Sequence, residues 1–483
     1  GEGFKYSDLV SYANAMDQLS GQEIEENRFA SFYGALDYSL FDRYVLNVSF
    51  RTDGSNNFGS DEQFNPTWSA GAVWHVSEET FMEVVRPVLS RLSLRVATGY
   101  TGNINKTVKP NLMMKYYKNF RISDDENYRM GYINNAPNPK LRWEKTRDVK
   151  VALDFGLWKD RINGIVEAYW RKSKDCVTSE YVPVTTGFFN QSYNTSVLQN
   201  NGVEFSLSVA VLKSKDYNLS VSANVAWNQN KLKKYNSPNT SLALDKYVGY
   251  PMGAVFSGKY EGIDPETGMY KFKLRPDAVT NKDGYLREPN NYYYYLGTSV
   301  APFTGGFNLN FSYKNIGLSV GGSYSVKAKM VDNIESPAGY ELLSGSKLES
   351  IPTPHNDLYR NHLNVKREVR NRWTPENRTG VKYPRLIDAY GKKLGLDLTN
   401  PTLTTITRGA LLEDISYLRI NTIALSYSLP QRVLERINFS SAALNLTLNN
   451  FFTITKYSGI DPEVPGATYP VSRSVTIGLN VGF

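Results

Sequence analysis

The sequence predicts an all-β protein, and within that class an antiparallel transmembrane β-barrel. Three observations carry this expectation. Apolar residues recur on every second position along much of the 483-residue chain, the pattern of strands with one apolar face. The alternating segments run to about ten residues, longer than the five or six usual in soluble sheets and suited to crossing a bilayer at a tilt. The connections are also sorted, with short turns alternating with long loops, as outer-membrane barrels arrange them.

Taken in order, the pattern predicts thirteen strands near 29–40, 44–51, 65–76, 91–100, 146–157, 162–172, 200–213, 217–228, 303–314, 317–327, 415–429, 441–452 and 472–483. Tyr44, Leu46, Val48 and Phe50 make one apolar face, and Trp68, Ala70, Ala72, Trp74 and Val76 another. Val149, Val151, Leu153 and Phe155 follow, then Val203, Phe205, Leu207 and Val209. The intervening residues are small or polar. "FDR", "WKDR", "KSKD" and "KNIG" are tight turns, and 77–90 and 430–440 are longer connections on the same side. Connections near 101–145, 173–199, 229–302 and 328–414 are long loops on the other. Loops of that length are uncommon in compact soluble domains.

The last strand ends without a polar tail. Val475, Ile477, Leu479, Val481 and Phe483 share its apolar face. A final strand that pairs with the first and stops on an aromatic residue at the membrane interface explains this, because lipid leaves no strand edge unpaired. The same residues resemble the C-terminal signal read by bacterial outer-membrane insertion machinery. Counting back from a last strand that runs inward, the first of thirteen also runs inward. Residues 1–28 are then expected in an extracellular loop and 29–483 in the barrel. An even strand number implies further strands upstream, so the chain is expected to be the C-terminal part of a larger barrel.

Composition narrows the function. No apolar run approaches the ~18 residues of a spanning helix. The aromatic residues number 34 Tyr, 22 Phe and 7 Trp, and tyrosine suits places where one end of a side chain is apolar and the other wet. One cysteine, Cys176, rules out an internal disulfide. The net charge of +8 is spread along the chain, and even the densest basic run, "NVKREVRN", reads as a solvated loop, so no nucleic-acid partner is expected.

Catalytic chemistry finds no support. The sequence carries no nucleophile elbow, P-loop or paired-carboxylate pattern. His75 reads as a polar residue facing the lumen. His355 and His362 share a loop but lack further ligands at metal-site spacing. "GIDPE" occurs at 262–266 and 459–463. Asp-Pro beside glycine is turn chemistry, with calcium ligation by Asp264 or Asp461 as the alternative; no other cofactor is expected. Arg51, Arg95, Lys150, Asp154 and Glu204 are expected on the lumen side, where they tune passage or contact a plug. Tyr292, Tyr293, Tyr294 and Tyr295 form the run "NNYYYYLG". It packs a loop, or it offers a stacking surface for sugar rings or a seat for a lid protein.

Several segments carry a resemblance. "DRYVLNVSFRTDGSNNFG" (42–59), "SAGAVWHVSEETFM" (69–82), "LSLRVATGYTGN" (92–103), "LRWEKTRDVKVALDFGLWKDRINGIVEAYWRKSKD" (141–175), "NNGVEFSL" (200–207), "RWTPENRTGVKYPRL" (372–386), "SYLRINTIALSYSLP" (416–430), "NNFFTITKYSGIDPEV" and "YPVSRSVTIGLNVGF" resemble the SusC-like TonB-dependent transporters (RagA/SusC family) of Bacteroidetes. The resemblance implies a 22-stranded barrel around an N-terminal plug, with plug and first strands absent from this chain. It implies an outer-membrane location and import of oligosaccharides or peptides. A SusD-like surface lipoprotein would act as lid, and TonB–ExbB–ExbD would supply energy through the plug. The rival readings are a passive porin-like barrel, a structural part of an envelope complex and, weakest, an outer-membrane enzyme.

Overall fold

The computed structural model describes residues 28–103, 113–123, 126–188, 190–235, 247–266, 268, 270–277, 293–331, 370–381, 408–465 and 469–483. Thirteen strands form one antiparallel sheet, neighbours in chain order throughout. They are β1 Phe29–Leu40, β2 Tyr44–Ser55, β3 Phe64–His75 and β4 Leu89–Asn103, then β5 Glu144–Leu157, β6 Ile162–Tyr181, β7 Asn190–Lys213 and β8 Tyr217–Tyr235. β9 Phe303–Tyr313, β10 Ile316–Val326, β11 Tyr417–Ser428, β12 Ser441–Thr455 and β13 Ser474–Gly482 complete it. Each segment predicted as a strand is one.

The sorting of connections holds, with one correction. Residues 173–199, expected as a long loop, are mostly strand, because β6 and β7 continue pairing to Tyr181↔Asn190. Irregular register around Cys176 interrupts the pairing without ending it. Polar residues there, such as Ser173, Thr178, Ser192 and Asn194, hid a ladder whose apolar alternation stops at the membrane edge. The strand order begins at β1 and ends at β13.

At the tight-turn end the backbone turns sharply. Phe41 and Asp42 take φ of 55° and 56° to join β1 to β2. The longer 76–88 connection carries two single 3-10 turns. The connection after β11 carries a short helix, α1 Gln431–Ile437, which buries Leu434. At the other end, residues of the long connections make small sheets of their own. Ala254–Gly258 pairs with Tyr293–Thr298, and Lys329–Val331 with Leu412–Asp414.

Alternation gives the sheet two unlike faces. On one, Leu46, Val48, Phe50, Val96, Leu153, Val203, Leu425, Leu444, Ile477 and Leu479 are exposed. Aromatic residues bound this band. Tyr44, Trp74, Trp158, Tyr217, Tyr313 and Tyr427 stand exposed at the tight-turn end, and Phe50, Trp68, Trp170 and Trp227 at the other. An apolar band between aromatic girdles is the lipid-facing signature of an outer-membrane barrel. Buried apolar residues are few. One cluster lies beyond the band, where Phe58 stacks on Trp143 at 4.4 Å beside Leu141.

Candidate functional site

The polar face of the wall carries a ladder of ion pairs. Register places Ser93 of β4 opposite Asp154 of β5, and Arg95 one step on, opposite Ala152. Arg95 reaches diagonally to Asp154, Nε to Oδ2 at 2.6 Å. On β5 and β6, Lys150 pairs with Glu167 at 3.3 Å and Asp148 with Arg171 at 2.9 Å. Glu204 of β7 stands directly across from Glu167. Nearer the sheet edge, Arg51 pairs with Asp53 at 2.6 Å and donates to the Ser31 hydroxyl. The His75 ring nitrogen Nδ1 lies 3.0 Å from the Ser93 hydroxyl on the same face.

The structure therefore brings Arg95, Lys150, Asp154 and Glu204 together on β4–β7 and sets Arg51 apart on β2. Of the neighbours Asp148, Glu167 and Arg171, period-two counting from Lys150 reaches Asp148 on the same strand, whereas Glu167 and Arg171 lie on β6 and join this face only through the register of β6 against β5. Three pairs at partial exposure, with Glu204 beside Glu167 as the one like-charge neighbour, form a corrugated polar surface of mixed sign. Such a surface offers a hydrated polymer hydrogen bonds without a deep trap for one charge.

The tyrosine run lies in the body built by the long connections. Tyr292 falls outside the described residues, as do His355, His362 and most of the 364–371 basic run. Tyr293, Tyr294 and Tyr295 are in the strand paired with 254–258. Tyr295 packs against Tyr250 at 4.9 Å and Phe256 at 5.7 Å, and Tyr250 meets Phe256 edge-on. Burial in this cluster raises the Tyr295 hydroxyl above its ordinary pKa. The Tyr294 hydroxyl donates to the Leu274 carbonyl at 2.8 Å. Tyr250 and Tyr295 each keep a face in solvent.

Both "GIDPE" motifs make the same turn. The Asp264 carboxylate accepts from the Glu266 backbone N–H at 2.8 Å, and Asp461 from that of Glu463 at 3.0 Å. Asp461 is further taken up by Arg419 and by the Val471 N–H, so a turn and an ion pair share its carboxylate. Trp373 of the "RWTPENRTG" segment donates to the Pro265 carbonyl at 2.9 Å. Among the described residues no cluster of three or more His, Cys, Asp or Glu is placed to hold a metal. Cys176 is buried.

At the end of the chain, Val475, Ile477 and Leu479 are exposed along the apolar face of β13. Val481 continues that face, opposite Ala442, and Phe483 is 92% exposed, with its ring edge-on to Phe439 at 5.2 Å.

With this wall described, comparison with known proteins is direct. The family model for the "TonB dependent receptor-like, beta-barrel" matches residues 2–334. The chain belongs to that family. It is 27% identical to the TonB-dependent receptor SusC of Bacteroides thetaiotaomicron, over 95% of this chain and 44% of that protein. It is 26% identical to TonB-dependent receptor P26 of Formosa agariphila, over 94% of this chain and 46% of that protein. Its fold superposes on the RagAB peptide transporter with a TM-score of 0.75 at 25% identity, covering 95% of this chain and 48% of that one. The chain thus spans under half the length of the curated relatives it matches. As a SusC-like TonB-dependent receptor barrel it resides in the outer membrane, and its family is one of transporters and receptors.

Proposed function

We propose that this chain forms most of the wall of an outer-membrane importer that takes up oligosaccharides or peptides by TonB-dependent active transport. The observation that carries the reading is the ion-pair ladder of β4–β7, set on the face opposite the lipid-facing band. A wall polar on one side and apolar on the other encloses a hydrated path, and paired charges of mixed sign tune that path without blocking it. Arg51, Arg95, Lys150, Asp154 and Glu204 face the lumen in this reading. They meet either substrate or the plug supplied by the part of the protein outside this chain, whose strands also pair with β1 and β13. TonB–ExbB–ExbD acts through that plug, and a SusD-like lipoprotein closes over the long connections. The exposed faces of Tyr250 and Tyr295 suit stacking on a sugar ring or on the lid.

Uptake in cells tests the reading. Cells with and without the full-length protein are given fluorescently labelled oligosaccharides and peptides, with TonB present or deleted. Accumulation of one class that needs both the protein and TonB supports active import and names the substrate. Accumulation independent of TonB replaces the reading with a passive porin.

A further inference from the structure

Charges are handled differently on the two faces of β5 and β6 at the same height. On the polar face Asp148 pairs with Arg171 and Asp175 with Arg142. On the opposite face Lys145 and Arg147 of β5 stand directly across from Lys174 and Lys172 of β6. The row continues through Gln199 of β7, across from Lys172, to Lys231 of β8, across from Gln199. Lys145, Arg147, Lys172 and Lys174 are exposed and Lys231 is half-buried. Among the described residues, none of these five cationic side chains has a hydrogen-bond or ion-pair partner. Asp61 and Glu62, on the connection after β2, form no ion pair with them either.

Like charges directly opposite on neighbouring strands destabilise a sheet. Here two such pairs are stacked, and among the described residues no side chain supplies a counter-charge. Their position indicates where one comes from. The cations lie on the apolar band's own face, Lys172 two residues past the girdle residue Trp170 on β6 and Arg147 across from Tyr100 on β4. They also lie at the end of the wall that carries the long connections. We propose that this patch binds the phosphate groups of outer-leaflet lipid, a phosphorylated glycolipid whose acyl chains lie against the band below. Strands about 4.8 Å apart present the cations as a two-dimensional array suited to a polyanionic headgroup layer. The long stems of Lys and Arg cover the wall while their charges reach outward. The proposal is independent of what the protein imports.

Native mass spectrometry of the full-length protein, extracted in mild detergent, tests it. The probes are phosphorylated lipid A, the same lipid dephosphorylated, and inorganic phosphate. The variant combines Lys145→Gln, Arg147→Gln, Lys172→Gln and Lys174→Gln; Lys213→Gln with Lys215→Gln at the tight-turn end is the control. Heat-dependent gel mobility checks that each is folded, and Lys172→Gln with Lys174→Gln alone serves if the fourfold variant does not fold. The wild type and control retain phosphorylated lipid at least about tenfold better than the fourfold variant at low salt, and the difference shrinks as ionic strength rises. Equal retention by the variant overturns the proposal. So does equal retention of the dephosphorylated lipid, displacement by an equal concentration of inorganic phosphate, or photocrosslinking from position 172 that captures a polypeptide instead of lipid.

Discussion

Arg419 of β11 and Asp461 of the β12–β13 connection form an ion pair in which the side chains are 2% and 6% exposed. Glu463 adds a second contact, 3.0 Å from the guanidinium Nε. The pair ties the second "GIDPE" turn to the wall, and Asp461 holds the turn's own backbone from the other side. Removing one partner of a buried pair strands the other, which typically costs about 3–5 kcal/mol. Arg419→Met should therefore loosen the turn. Limited proteolysis within 456–473, with the barrel still folded by gel mobility, checks this. Neutralising the stranded charge with Asp461→Asn in the same chain, which keeps an acceptor for the turn's backbone N–H groups, should recover part of the loss.

At the opposite end, Glu79 gathers Tyr44, Trp74 and Arg43. Hydrogen bonds from the Tyr44 hydroxyl and the Trp74 indole, with the Arg43 charge beside them, hold its carboxyl below the usual carboxylate range. A folded-state value below the unfolded one gives stability that is complete above about pH 4.3, the unfolded carboxyl's value. It is lost as pH falls through the folded value. The wild type should lose thermal stability on acidification below that point, and Glu79→Gln should be less stable at neutral pH but flatter with pH. Melting curves across a pH series check both.

Gly409 lies so close to the 254–258 strand that a Cβ would sit 1.8 Å from the Gly258 carbonyl oxygen. Backbone cannot yield there as a flexible side chain could. Gly409→Ala should separate the 408–411 turn from the 254–258 strand and leave the thirteen-stranded wall intact. Faster hydrogen exchange confined to 254–258 and 293–298 is the expected signature.

Phe483 offers its ring to the surroundings, with Phe439 as the contact that orients it. If the insertion machinery reads this end, Phe483→Ala should lower the amount of folded protein in the outer membrane severalfold. The stability of what does fold should change little. Quantitative blotting of membrane fractions, set beside melting of the purified variant, separates the two effects.

The wall was legible because its physics is local. Tyr44, Leu46, Val48 and Phe50 announce a lipid-facing strand with no knowledge of their neighbours. The extensions of β6 and β7 were not legible, since past Trp170 both faces carry charged or polar residues and the apolar alternation stops. The same holds for the site. Lys150 and Glu204 could be assigned a face by counting, but their partners depend on register between strands. Arg419 reads as one more charge in a strand until the fold returns Asp461 to it from 42 residues away.

The 20 residues of β6 and 24 of β7 are far more than a bilayer crossing requires, since about ten suffice at a barrel's tilt. The rim of the wall at this hairpin is thus set by strand pairing and not by slack chain. Away from the irregular register around Cys176, such a rim changes height in even increments. Inserting one residue in one strand exchanges the faces of everything beyond it, turning greasy residues towards water and charges towards fat. Two residues added to each strand would raise the crest and leave every side chain on its own face.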